Sequence, residues 1–522
     1  MKRCPLCQHT YTDETVRFCR QDGTLLIGDS SSSDTDSTLR LPSIHQSVDP
    51  RTQTLPFTSS IAVLPFVHMS ADSDNEYFCD GLAEELLNAL TRIEDLKVAA
   101  RTSAFSFKGK NVDISEIGRA LHVQTVLEGS VRKSGKRLRI TVQLVNVSDG
   151  YHLWSERYDC EMNDIFDVQD EITLAVVEAL KVKLLGEKKS EVLQRYTDNA
   201  EVYDLYLKGR YSYFHKYSPE GWLEGLEFFN QAIEKDPDYA LAYAGKARAL
   251  GTCFHNGLFS SHEAIPPMKA AISRALELDE NLVEAHTARA TLYFYYEWDW
   301  AAAEREFRKA IELNPNNPDA RQGYGVFLFS RNRFDQAISE IKKAIELDPL
   351  SLQVRLNAGF LYWFGNRLDE AMVQVQKMIE LEPKFFAAYW LMGAIYWLQG
   401  RHEDAIECYQ KSLSLNLNQH VLGGLGSIYG TLGKMDEALG VLNQLLEMKK
   451  HQNVNAFQLV RVYGGLGEID KTLEWLERAF EERNSLLVFL EREIEIGSMG
   501  PLKEMIKDTR LEGLLRCEGL IS

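Results

Sequence analysis

The phrases AIELNP, AIELDP and MIELEP end at Pro315, Pro349 and Pro383, each 34 residues from the next, and SLSLNL puts Leu417 at the following step. Small residues hold the same interval: Gly325, Gly359 and Gly393, then Ala337, Ala371 and Ala405. A period of this length is one helix pair, and the small residues stand where the two helices must approach closely. Such a pair cannot bury its apolar face alone. The pattern therefore demands a stack of pairs and excludes a single central core for this part of the chain. Strand signals vanish from about Asn199, and the repeats are expected over 198–484. AIEKDP and ALELDE, ending at Pro237 and Glu280, stand 43 residues apart, which places an insertion near GLFSSHEAIPP. The segment 485–522 departs from the pattern and is expected to be a C-terminal helical cap.

In the best-kept register Gly393, Tyr396, Ala405 and Tyr409 follow the order G-x-x-Y, A-x-x-x-F. This resembles the tetratricopeptide repeat (TPR), which implies an all-α solenoid whose concave groove holds a protein or peptide. Four residues beyond Gly325, Gly359 and Gly393 stand Phe329, Trp363 and Trp397, and the preceding repeat, one residue longer, places Phe294 there. The resemblance implies that this position faces the groove, with Phe360 and Trp390 joining it by the same register. An apolar, aromatic groove suits an amphipathic helix or an extended peptide with apolar side chains. The competing reading buries the same rings between repeats as core. Basic residues for clamping an acidic C-terminus are not evident in this register.

Ahead of the repeats, 59–185 alternates the β-rich runs IAVLPF and LKVAA with the helical runs EYFCDGLAEELLNALTRI and ISEIGRALH, the pattern of an α/β domain. Asp80, before GLAEELL, is placed to cap a helix. TVLEGSVRK and KRLRITVQLVNV join through Ser134-Gly135 as a hairpin; HLWSERYD and a helix from about Asp164 to Leu184 follow. Together with VAARTSAFSFKGK and DIFDVQDEI, these phrases closely resemble the TolB-like (FlgO-like) N-terminal domain of bacterial signalling proteins. That resemblance implies a signalling or assembly part without supplying an activity. Arg132, Lys133, Lys136, Arg137 and Arg139 put five cations around the hairpin. They read either as a dock for an acidic partner or nucleic acid, or as a solvated strand edge that resists aggregation. Arg101-Thr102-Ser103 with Lys108-Gly109-Lys110 forms a candidate anion cradle, which frames an alternative function: an enzyme or sensor binding a nucleotide or phosphorylated ligand.

The chain opens with CPLCQHTYTDETVRFCRQDG. Thiolates two apart on a tight turn reach one ion together, and a second such turn completes a tetrahedron. The run resembles the small zinc ribbons of bacterial multidomain proteins, which implies one structural Zn2+ within 1–27 held by Cys4, Cys7, Cys19 and a fourth ligand. Asp22 stands at the knuckle position where a cysteine is usual, so Asp22 or His9 completes the site. The Ser-, Thr- and Asp-rich stretch 28–58 has too few large apolar groups to fold and is expected to be a disordered linker. A zinc-ribbon transcriptional regulator is a further alternative. The formal charge of −18, from 58 Lys+Arg and 76 Asp+Glu, argues against a phosphate backbone as main partner.

Eight cysteines in 522 residues are too sparse for a disulfide scaffold, and no apolar run is long enough to span a bilayer, so a cytoplasmic protein is expected. The phosphate-loop, nucleophile-elbow and HExxH patterns are absent from the sequence. Gly423-Gly424-Leu425-Gly426 falls in a repeat helix, where glycine permits close packing. The expected chain is multidomain: a small zinc ribbon, an α/β TolB-like domain and an all-α TPR solenoid. Its expected role is that of a non-enzymatic interaction or scaffold protein of a bacterial signalling or assembly system.

Overall fold

The computed structural model describes residues 2–3, 10–11, 27–28, 59–69, 76–93, 95–134, 137–161, 164–180, 182, 197–215 and 218–495. The chain divides into two units, Met1–Pro56 and Phe57–Ser522. In the first, β1 (Lys2–Arg3) pairs antiparallel with both β2 (Thr10–Tyr11) and β3 (Ile27–Gly28). Cys4, Cys7, His9, Cys19 and Asp22 lie outside the described residues, as does most of the 28–58 stretch.

The second unit begins with a mixed sheet. Its strands are β4 (Ser59–Val63), β5 (Val67–His68), β6 (Leu96–Val98), β7 (Thr125–Ser134), β8 (Arg137–Asn146) and β9 (His152–Glu161). The order is β6-β4-β7-β8-β9; β4 is parallel to β6 and β7, and β7, β8 and β9 form an antiparallel meander. The expected hairpin of β7 and β8 forms, pairing Ser134 with Arg137. Helices α1 (Glu76–Thr91) and α4 (Ile165–Ala179) cover one face through Leu82, Leu86, Ile172 and Val176. The short α2 (Arg101–Phe105) adds Ala104 and Phe105 to the same core, and α3 (Ile114–Leu121) flanks the other face, capped by the Asp113 carboxylate on Ser115 N–H. Asp80 is not a helix cap. It lies inside α1 and is buried, because the helix starts four residues earlier and Lys108 meets its carboxylate at 2.6 Å.

Sixteen helices follow as antiparallel pairs. They are α5 (Ala200–His215) with α6 (Pro219–Lys235), α7 (Ala240–His255) with α8 (Ser261–Leu278), α9 (Val283–Leu292) with α10 (Trp300–Leu313), and α11 (Pro318–Ser330) with α12 (Phe334–Leu347). Next come α13 (Leu352–Phe364) with α14 (Leu368–Leu381), α15 (Phe386–Leu398) with α16 (His402–Leu415), α17 (Gln419–Thr431) with α18 (Met435–Met448), and α19 (Ala456–Leu466) with α20 (Ile469–Glu481). A 3-10 turn (Ser485–Phe489) and α21 (Leu490–Glu495) close the described chain. Successive first helices touch along most of the stack, which puts them on the inside of its curve.

Two irregularities have physical causes. Left-handed residues end the first helices at Trp298, Asn332, Asn366, Gly400, Gly433 and Gly467, the Asn and Gly types being those that accept this conformation most readily. The repeat holding Trp298 carries one extra residue between its helix start and that turn, and a π-helical turn (Tyr293–Glu297) absorbs it. The insertion near GLFSSHEAIPP lengthens α8 to 18 residues and builds the loop 256–260. That loop closes the superhelix on itself: Gln419 Nε2 donates to the Asn256 carbonyl at 3.4 Å and Asn453 Nδ2 to that of Phe259 at 3.1 Å. Gly257 has φ +78°, and a Cβ there would overlap the Asn453 carbonyl. Only glycine allows that approach.

Candidate functional site

Two surfaces organise the second unit: the seam between sheet and repeats, and the inner face of the repeat stack. The seam begins as apolar packing, because one core runs from Ile61 and Leu86 to Tyr203, Tyr206 and Phe229 of the first repeat. Polar contacts then fix its register. Tyr77 donates to Asp204 at 2.6 Å, and Gln169 Nε2 donates to the Tyr203 hydroxyl at 2.7 Å. Buried Glu84 pairs with Arg101 of its own domain at 2.7 Å and with Arg210 of α5. Burial pushes neighbouring Glu85 up to about 7.

A second part of the seam involves the inter-repeat turns of AIELNP and AIELDP. Ala100 N–H donates to the Leu347 carbonyl at 3.0 Å. Ser103, fully buried at the start of α2, donates both its N–H (2.9 Å) and its hydroxyl (2.5 Å) to Asp348, and its oxygen accepts from Leu350 N–H at 2.8 Å. Asn316 Nδ2 donates to the Leu96 carbonyl at 3.4 Å. Burial raises the Asp348 carboxyl to about 6 against the lowering effect of Ser103.

The candidate anion cradle is taken up by this seam. Arg101 is paired with Glu84, Lys108 with Glu76 at 2.7 Å and Asp80 at 2.6 Å, and Ser103 with Asp348; Lys110 is exposed. Those carboxylates neutralise the cations that an anion would require. In the basic hairpin Arg132 faces Arg139 directly, and Asp159, Arg139's partner on β9, offsets that repulsion at 2.6 Å. Lys133 lies over the Phe78 ring at 5.9 Å, and Lys136 lies outside the described residues.

Of the six aromatic residues expected to line the groove, Phe294, Phe329 and Trp363 are buried, with 0%, 1% and 6% exposure. That corrects the expectation for these three. Phe329 packs edge-on against Phe334 at 5.1 Å, and Trp363 donates its indole N–H to the Ala394 carbonyl of the next repeat at 3.1 Å. Both are core, because this turn of the first helix meets the neighbouring pair. Phe294 packs on Phe327 at 5.6 Å and is approached by Phe489 at 6.4 Å. Phe360, Trp390 and Trp397 are half-buried; Phe360 meets Trp390 edge-on at 5.1 Å, and Trp397 meets His402 at 4.7 Å. The glycine run in α17 is packed as expected, a Cβ on Gly424 colliding with Tyr409 and one on Gly426 with Val462.

Sequence reasoning missed Phe364 and Phe489. The two rings stack 5.7 Å apart with planes 17° from parallel, and they lie 125 positions apart in the chain. No local signal links them.

Family models for the tetratricopeptide repeat match residues 297–358, 328–395 and 385–451. The helical stack is a TPR array. A model for the second domain of HilA/YgeH-like transcriptional regulators matches residues 57–175. Among curated proteins, the putative adenylate cyclase 3 of Rhizobium meliloti is 40% identical over 202 residues, 39% of this chain and 34% of that protein. The transcriptional regulator HilA of Salmonella typhimurium is 20% identical over 297 residues, 54% of this chain and 50% of that one. The chain thus spans between a third and half of their length. Among solved structures, PilW, a type IV pilus biogenesis factor, is 23% identical over 39% of this chain and 91% of its own, with a TM-score of 0.32. Among the described residues, no helix is long and apolar enough to cross a membrane.

Proposed function

We propose that this chain is a non-enzymatic interaction protein of a bacterial signalling or assembly system, whose TPR array holds a protein partner and whose TolB-like α/β domain is coupled to that array. The observation that carries the reading is the seam. Ser103 and Asp348 join a sheet domain to a repeat turn 245 positions away, which ties the α/β domain to the array. The pairing of Arg101 and Lys108 with carboxylates supports a role without nucleotide chemistry. The described thiols agree, since burial raises Cys79 and Cys408 to about 12 and leaves them poor nucleophiles. Cys4, Cys7, Cys19 and Asp22 hold one structural Zn2+ in this reading, and the protein works in the cytoplasm.

The test is affinity purification of the full chain from its native cells, beside titration of the purified chain with nucleotides. A defined protein recovered with the wild type and lost from a repeat variant such as Trp397→Ala supports the reading. Saturable nucleotide binding or turnover at the α/β domain sinks it. The match of residues 57–175 to the HilA-type second domain favours one other reading, a part in transcriptional control. Salt-dependent retention on DNA separates that reading from the first.

A further inference from the structure

The described part of the segment after the last helix pair packs on that pair and also reaches beyond it. It turns back at Arg483, which is left-handed at φ +52°, and runs against first helices of repeats far earlier in the chain. Ser485 Oγ hydrogen-bonds His255 Nδ1 at 2.9 Å, where α7 ends. Phe489 stacks on Phe364 of α13 and meets Phe294 and Tyr295 of the π-helical turn edge-on at 6.4 and 6.5 Å. Arg492 hydrogen-bonds Asn332, the left-handed residue after α11, and lies over Phe334 at 4.5 Å. Glu493 takes both guanidinium arms of Arg461 on α19, one at 3.1 Å, and both side chains are buried. Leu487, Val488, Leu490 and Ile494 are buried as well. This eleven-residue segment thus engages five different repeats, four of them where the first helix ends or in the turn that follows it.

We propose that Ser485–Glu495 is a tethered ligand occupying a seat that five repeats of the array share, and that a partner binds there by replacing it with a segment of the same chemistry. The inference rests on the reading of the array as the partner-binding element and names what that partner must present. Three features define the seat. Phe364, Phe294 and Tyr295 form an aromatic socket for one ring. The socket is flanked by apolar surface that takes aliphatic residues on both sides of that ring. Arg461, buried, requires a carboxylate four positions after the aromatic, as Glu493 stands after Phe489. A buried cation left alone is costly, so the seat selects an acidic apolar helix and rejects a basic one. Because the resident segment is attached, its effective concentration is of millimolar order, and a free competitor must exceed that threshold.

The test uses a fluorescein-labelled synthetic peptide of residues 484–495 and the full chain. A double variant, Phe489→Asp with Glu493→Lys, empties the seat. It is expected to bind the peptide saturably and at least tenfold more tightly than the wild type, with unlabelled peptide competing and a peptide carrying the same two changes failing to compete. Equal binding to both chains, or none to a variant with full helical circular dichroism, overturns the proposal. Should the variant lose its helical signal, hydrogen exchange on the unaltered chain decides. Excess peptide must then speed exchange at 485–495 without altering α13 and α14, and unchanged exchange overturns the proposal. The two readings fail separately. A chain that ignores the peptide yet captures its partner loses only the tethered ligand, and one that binds the peptide yet captures nothing loses only the partner-binding function.

Discussion

Replacing Ser103 by Ala removes a hydroxyl that does two jobs at the seam. It donates to Asp348 at 2.5 Å and accepts from Leu350 N–H at 2.8 Å, with no exposure to water that could replace either bond. A hydrogen bond to a carboxylate is worth about 2 kcal/mol and one to a neutral backbone donor about 1 kcal/mol, so the loss should be about 3 kcal/mol at pH 7.5. The linkage sign follows from the raised Asp348 carboxyl. Its folded value of about 6 lies above the ordinary 3.8, so the protonated form is the better tolerated. The stabilisation from proton uptake is complete below about pH 3.8 and is lost as pH rises through 6. Between pH 7 and pH 5 the wild-type seam should gain about 1 kcal/mol from Asp348. Glu85, raised to about 7, acts in the same direction, so Asp348→Asn should flatten only part of the profile.

Urea unfolding gives the energies, and hydrogen exchange over 96–105 and 340–352 locates the loss. Ser103→Ala and Asp348→Asn should be strongly non-additive in combination, because both remove the same bond. A Ser103→Ala loss below about 0.5 kcal/mol would match an ordinary surface substitution. With exchange unchanged at both segments, it would refute the view that this bond couples the two parts.

Trp363→Ala should destabilise the array by about 3–5 kcal/mol in thermal or urea melts, as expected for truncating a buried aromatic with a satisfied indole N–H; a loss near zero would return Trp363 to the partner surface. Gly257→Ala combines a left-handed backbone with a collision on the Asn453 carbonyl, so the loop 256–260 should open and become the earliest site of limited proteolysis within the repeats. Metal analysis of the purified full chain should find one zinc, lost in Cys4→Ser and Cys19→Ser. Chelation should leave the helical signal of the repeats intact; a metal-free wild type refutes the site.

The sequence by itself determined the repeat unit and much of its register. The interval between Pro315, Pro349 and Pro383, the small residues at Gly325 and Ala337, and the left-handed turns at Asn332, Asn366 and Gly400 are local, each needing only its own helix pair. The hairpin of β7 and β8 was likewise readable, because alternation and turn chemistry act within twenty residues. Asp80 was misread because capping depends on where the helix starts, and α1 begins a full turn earlier. Only the tertiary structure decided what the repeats meet. Asp348 holds the same register as Asn314 and Glu382, yet Asp348 alone of the three receives Ser103. Phe489 finds Phe364 across 125 positions, and Asn453 finds the loop after α7 across 194. These meetings depend on the small rotation from each helix pair to the next, summed over many pairs. A sum of that kind is written in no single stretch of residues, so periodicity specifies the pair while the curvature of the whole stack selects the contacts.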